Sequence, residues 1–263
     1  MGAAAFLTAI FIHEYGIVLA FGVICLMSLI EYARLTRPRH NRGAFGVVGF
    51  ATVFGFLLPV TQYIGEFAGE HNMFLLFAFS FGTVYLLDLL MDGALPNPKR
   101  ITVTIIGIIW IALPVSLMVD IGLGDGFDPI RLIAILFPIW AADVGAYFAG
   151  STFGRTKLAP KISPKKTWEG FIGGILLALA ISWGLSAIWP GTYPRWIYLT
   201  LGAICAVFGV MGDLLESSFK RSRNIKDSGG LLPGHGGFLD RFDSLFVAAP
   251  ASWFFLLFLE QLQ

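Results

Sequence analysis

The sequence predicts an all-α, polytopic integral membrane protein with about eight transmembrane helices. Three observations lead there. Hydrophobic residues fill 56% of the 263 positions and charged ones only 13%, against about 25% charged in a soluble domain. Mean hydropathy is +0.76. The apolar residues also fall in runs of about 20, enough for a helix to cross roughly 30 Å of hydrocarbon, whereas a transmembrane barrel would alternate apolar and polar positions.

Uncharged runs place the spans at 15–33, 44–64, 73–91, 101–120, 130–150, 168–189, 195–215 and 244–262. The run 3–12 is apolar but short, and His13 and Glu14 divide it from the first span, so it reads as an interfacial segment or a stunted ninth span. With no basic stretch ahead of it, it does not match a cleavable signal peptide. Pro59, Pro114, Pro138 and Pro250 fall inside spans, as do Gly170, Gly173 and Gly174. In a membrane such residues are tolerated kinks or points of close helix approach. Cys25 and Cys205 lie in apolar runs and read as small packed hydrophobes rather than a disulfide. No repeat or linker divides the chain, which is treated as one domain.

The net charge of +1 matters less than its distribution. Arg34, Arg37, Arg39 and Arg42 follow the first span, Lys99 and Arg100 the third, and Arg155, Lys157, Lys161, Lys165 and Lys166 the fifth. Lys220, Arg221, Arg223, Lys226 and Arg241 follow the seventh. Of the 18 lysines and arginines only Arg131 and Arg195 fall to the other side. The positive-inside rule makes the richly basic face cytoplasmic, and it is the expected working face.

Acidic residues inside spans are costly and default to a functional role. Glu31, Asp88, Asp143 and Asp213 each lie within about two turns of the cytoplasmic end of a span, so all four can face one shallow cavity. For Glu31 and Asp88 an interfacial ion pair with a loop Arg or Lys is the plainer reading; Asp143 and Asp213 are the stronger candidates. Asp213 and Glu216 are three apart, hence on one helix face. Carboxylates held close repel, and a hard divalent cation between them offsets that cost. A salt bridge to Lys220 is the alternative for Glu216.

From Ser217 to Asp243 the chain reads SSFKRSRNIKDSGGLLPGHGGFLDRFD. Its glycines, Gly236 and Gly237 among them, let backbone amides approach a ligand and form anion nests. Lys220, Arg221, Lys226 and Arg241 add fixed positive charge suited to phosphate oxygens. Asp227, Asp240 and Asp243 supply oxygen ligands for magnesium, the usual escort of a polyphosphate. Together these point to phosphoryl or nucleotidyl transfer. His235 is a candidate phosphate contact; a lone histidine makes no zinc site. In the second basic loop, Gly150 to Gly170, Ser163, Lys165, Lys166 and Thr167 stand just before an expected helix start at Trp168, where helix-terminal N–H groups, hydroxyls and ammoniums suit a phosphate.

The stretch from Ser217, S-x-F-K-R-x4-K-D-x-G-x2-L-P-x-H-G-G-F-x-D-R-F-D, resembles the signature of the CDP-diacylglycerol synthases, the phosphatidate cytidylyltransferases. The SPKKTWEG segment and the run from Asp143 to Tyr147 resemble the same family. The likeness is firm over 130–263, the expected catalytic half. Over 1–129, the N-terminal helices, it rests on hydropathy and the EYARL run, and the short 3–12 segment departs from the basic cluster and full first span usual in the family.

The resemblance implies transfer of CMP from CTP to phosphatidic acid, giving CDP-diacylglycerol and pyrophosphate in phospholipid biosynthesis. It implies magnesium, with or without a second cation, held by Asp213 and Asp240, and a protein of the inner, cytoplasmic membrane that is often a homodimer. Nucleic acid is not an expected partner. On this reading Lys220, Arg221, Lys226 and Arg241 neutralise the two anionic reactants, while Asp143, Asp227 and Asp243 are further ligands or orient those cations. The rival readings are a CTP-dependent polyprenol or phytol kinase, a CDP-transferase acting on ether lipid, and an anion transporter.

Overall fold

The computed structural model describes residues 2–36, 98–124, 126–225, 228 and 237–262. Among these residues, six helices are long and apolar enough to cross a membrane: Glu14–Thr36, Ile101–Leu123, Pro129–Phe153, Trp168–Ile188, Arg195–Ser222 and Leu239–Glu260. They match six of the expected runs. The other two, 44–64 and 73–91 with Asp88, lie outside the described residues. The chain divides into two compact units, Met1–Gly124 with Ser228–Leu239, and Asp125–Asp227 with Asp240–Gln263.

In the first unit, α1 (Gly2–Ile12) and α2 (Glu14–Thr36) pack together, and Phe6 meets Phe21 edge to face at 5.6 Å. With 11 residues, α1 is about 16 Å long, too short to cross the hydrocarbon core. The next stretch among the described residues is α3 (Pro98–Gly107), a π-helical segment (Ile108–Ala112) and α4 (Leu113–Leu123). Pro114 accounts for the π segment: it has no N–H for the carbonyl four residues back, and its ring crowds that turn, so the helix widens just before it. The Tyr32 hydroxyl donates to the Val103 carbonyl at 3.0 Å, and its ring fills the space a side chain would need at Gly107. Glu31 is buried, and its Oε2 accepts from the Leu239 backbone N–H at 2.9 Å and from the Ser228 hydroxyl at 3.2 Å. A side chain at Gly237 would collide with Glu31 and Ser228.

The second unit holds α5 (Pro129–Phe153), the strands β1 (Lys157–Ala159) and β2 (Ser163–Thr167), α6 (Trp168–Ile188), α7 (Arg195–Ser222) and, from Asp240 onward, α8 (Leu239–Glu260). Asp128 caps α5 by accepting from the Ile130 N–H at 2.9 Å, with Pro129 at the first turn, where its missing N–H is no loss. The paired strands are an addition to the all-α expectation: β1 and β2 form an antiparallel hairpin pairing Lys157 with Thr167 and Ala159 with Ser163. Thr167 also caps α6, accepting from the Gly170 N–H at 3.1 Å, so the helix starts at Trp168 as expected.

Helices α5 and α6 meet through small residues. A side chain at Gly145 would strike the Gly173 carbonyl, one at Gly174 the Ala142 carbonyl, and one at Gly170 the Ala146 carbonyl. Close approach is therefore why glycine stands at these positions. Ala142, Ala178 and Ala206 continue the seam from α5 through α6 to α7. Along α7, α8 runs antiparallel: Gly212 faces the Asp243 carbonyl, Cys205 sits 3.8 Å from the Ser252 hydroxyl, and Trp196 meets Phe255 edge on. Cys205, like Cys25, is buried and outside any disulfide.

The C-terminus of α7 is closed by a Schellman motif. Ile225 N–H donates to the Lys220 carbonyl and Asn224 N–H to that of Arg221, with Asn224 at φ 56°. Asparagine tolerates this left-handed conformation better than most residues.

Candidate active site

The polar elements of the second unit converge at one end, where α5 and α7 finish and α6 and α8 begin. Asp143 comes from the C-terminal half of α5, Lys165 and Lys166 from β2, Thr167 from the α6 cap, Asp213 from α7, and Asp240, Arg241, Asp243 and Ser244 from the first turns of α8. All line a single cavity of about 700 Å³. Trp140, Tyr147 and Phe171 give it aromatic walls, and Ser151 adds a hydroxyl.

The sequence reading placed residues up to Asp243 in a loop, with the last span starting at 244. Helix α8 starts five residues earlier, at Leu239, so Asp240, Arg241 and Asp243 stand on a rigid first turn. Asp240 there also suits the positive end of the helix dipole. The glycine before Asp213 brings that turn in: a Cβ on Gly212 would overlap the Asp243 carbonyl. One bare Cα thus lets α7 and α8 approach closely enough for Asp213 and Asp243 to share a cavity.

Two lysines partner the carboxylates. Lys166 Nζ lies 2.6 Å from Asp213 Oδ2, and the Ser217 hydroxyl donates to Asp213 Oδ1 at 3.1 Å. Lys220 Nζ lies 2.8 Å from Asp240 Oδ1 and 2.6 Å from Glu216 Oε2. Glu216 is 1% exposed and does not line the cavity; the salt bridge weighed for it from sequence is present. Lys220 does not line the cavity either. Its ammonium is engaged by two carboxylates, Glu216 and Asp240.

Other expected site residues fall elsewhere. The Arg221 guanidinium bends back to the Ile225 carbonyl at 3.4 Å, completing the end of α7. Ser163 sits opposite Ala159 in the hairpin. Gly237 is buried beside Glu31 in the first unit. Lys226, Asp227, His235 and Gly236 lie outside the described residues. The sequence reading missed Trp140, Tyr147, Ser151, Phe171 and Ser244, all in helices, where an aromatic or hydroxyl residue carries no mark that separates cavity lining from packing.

Among the described residues, no three His, Cys, Asp or Glu side chains converge into a ready metal cage. The donor set still fits magnesium. It consists of carboxylate oxygens, and two of its members, Asp213 and Asp240, already hold a cation in the form of a lysine ammonium. Magnesium is usually bound by one or two carboxylates together with substrate phosphates, not by an all-protein cage.

A helical membrane scaffold gathers acidic and basic groups around one cavity, which marks a membrane protein with a site suited to phosphate groups. Sequence comparison gives the family: the model of the cytidylyltransferase family matches residues 1–259, and the chain belongs to that family of nucleotidyltransferases. It is 35% identical over 241 residues to the phosphatidate cytidylyltransferase of Pseudomonas aeruginosa, covering 88% of this chain and 84% of the relative. It is 35% identical to that of Bacillus subtilis, covering 91% and 87%. With the Haemophilus influenzae enzyme of the same name the identity is 34%, over 97% and 95% of the two chains.

Proposed function

We infer that this chain transfers CMP from CTP to phosphatidic acid, forming CDP-diacylglycerol and releasing pyrophosphate. The observation that supports this most is the cavity that gathers Asp143, Asp213, Asp240 and Asp243 with Lys165, Lys166 and Arg241 at one end of the helices, in a chain alike over most of its length to enzymes of that name.

The chemistry follows from the charges. A phosphate oxygen of phosphatidate, already an anion at neutral pH, attacks the α-phosphorus of CTP. The new P–O bond forms as the bond to the bridging oxygen breaks, and pyrophosphate leaves with that electron pair. No general base is required, and the barrier is largely one of positioning and charge repulsion. Lys165, Lys166 and Arg241 supply fixed positive charge to both reactants. Asp213 and Asp240 would hold magnesium, with or without a second cation, which supplies charge neutralisation at the phosphates. Asp143 and Asp243 orient the cations, and Lys220 fixes Asp240.

The same proposal places the cavity at the cytoplasmic face of the inner membrane, in a chain of eight spans that works as a homodimer. The basic residues crowd the end where the cavity lies, in keeping with the positive-inside rule, so CTP enters from the cytosol and phosphatidate from the leaflet. The test is purified protein with phosphatidate, magnesium and CTP labelled at either the α- or the γ-phosphate. Label in lipid from the α-phosphate only, with pyrophosphate released, is the expected result. Label from the γ-phosphate, with CDP released, would make it a kinase instead. Light scattering in detergent tests the dimer.

A further inference from the structure

Lys166 reaches Asp213 from a hairpin of three and five residues, and an isolated two-stranded hairpin is marginally stable in water. Its pairing is also irregular between Lys157 and Ala159. Something else must fix it, because a slip of one residue turns every side chain of a strand to the opposite face. Glu169, in the first turn of α6, does so. Its Oε2 accepts from the Arg155 N–H at 3.1 Å, and both oxygens accept from the Thr156 N–H at 3.1 and 3.2 Å. The Thr156 carbonyl in turn accepts from the Trp168 N–H at 2.9 Å. These are the two residues immediately before β1, so the hairpin is clamped at its root to the helix that follows it.

We propose that Glu169 is a positioning residue for the transfer reaction: it pins the root of the hairpin so that Lys166 meets Asp213 at the cavity in the correct register. It touches neither the cavity nor Asp213. This rests on the functional reading above, since Lys166 matters to catalysis only if the cavity takes the reactants.

The test compares Glu169→Ala, Glu169→Gln, Lys166→Ala and the Glu169→Ala/Lys166→Ala double variant as full-length protein in nanodiscs. Amide hydrogen exchange across 155–167 is measured beside the kinetics of CMP transfer. Glu169→Ala speeds exchange there and lowers kcat/KM by about tenfold to hundredfold, the scale of a displaced positioning group. Added to Lys166→Ala it causes no further loss, because both changes act through one group. Glu169→Gln, which keeps one acceptor oxygen, recovers part of the activity and stands in if the alanine variant does not fold. Unchanged exchange, or losses that multiply in the double variant, would overturn the proposal. An unsubstituted chain without CMP transfer would defeat the functional reading, while the exchange measurement still decides the clamp.

Discussion

Lys166 and Asp213 form an ion pair at 2.6 Å, joining a hairpin strand to the C-terminal part of a membrane-spanning helix. Neither side chain is deeply buried, at 23% and 32% exposure, so the pair contributes little to stability on its own. Its value is placement: it holds a strand-borne cation and a helix-borne carboxylate together at the cavity.

The two proposed metal ligands are tested directly. Asp213→Asn and Asp240→Asn keep the shape and remove the charge. Each is expected to lower CMP transfer roughly 10²- to 10³-fold, the scale of losing one preorganised electrostatic contact. Thermal melting in detergent should change little for Asp213→Asn. Full activity in either variant removes that residue from the metal assignment.

Magnesium itself is the second test. Chelation with EDTA should abolish transfer, and added magnesium should restore it, followed as label entering lipid. Transfer that persists in excess chelator would show that the carboxylates do not act through a divalent ion.

Lys220 predicts a stability effect. Removing it takes the ammonium from the Glu216 carboxylate, which is buried, and breaking such a pair typically costs about 3–5 kcal/mol. Lys220→Met should lower the melting temperature clearly, and adding Glu216→Gln should recover part of the loss. No recovery would mean that the lysine stabilises by packing rather than by charge.

Gly212→Ala tests the contact between α7 and α8. The added methyl overlaps the Asp243 carbonyl, so the helices must part. Overpacking of this kind costs about 1–3 kcal/mol, and activity should fall with it because Asp213 and Asp243 separate. A variant that melts and turns over like the parent would show the contact to be slack.

Six spans among the described residues were legible because hydropathy is a local property, and so was the α6 start, since Thr167 accepting from Gly170 is a contact three residues long. The hairpin was not. SPKKT carries no alternating pattern, and its strand geometry depends on Glu169 reaching back to Arg155 and Thr156. The early start of α8 was hidden by its charges, which resemble a loop until one sees that they line a cavity. Arg221 was read toward phosphate because it is basic. Asn224, one position past the cap, was the available signal that the chain turns there, and that the guanidinium has a carbonyl beside it. Of the aromatic walls, only Tyr147 lay in a run that the sequence marked; Trp140 and Phe171 had no such signal.

The glycine and alanine seam between α5 and α6 brings the Gly145, Gly170 and Gly174 positions directly against main-chain carbonyls of the facing helix. That wall of the chamber is therefore stiff. Adjustment of the cavity to what it holds therefore falls to side chains that can turn, the rings of Trp140, Tyr147 and Phe171 among them.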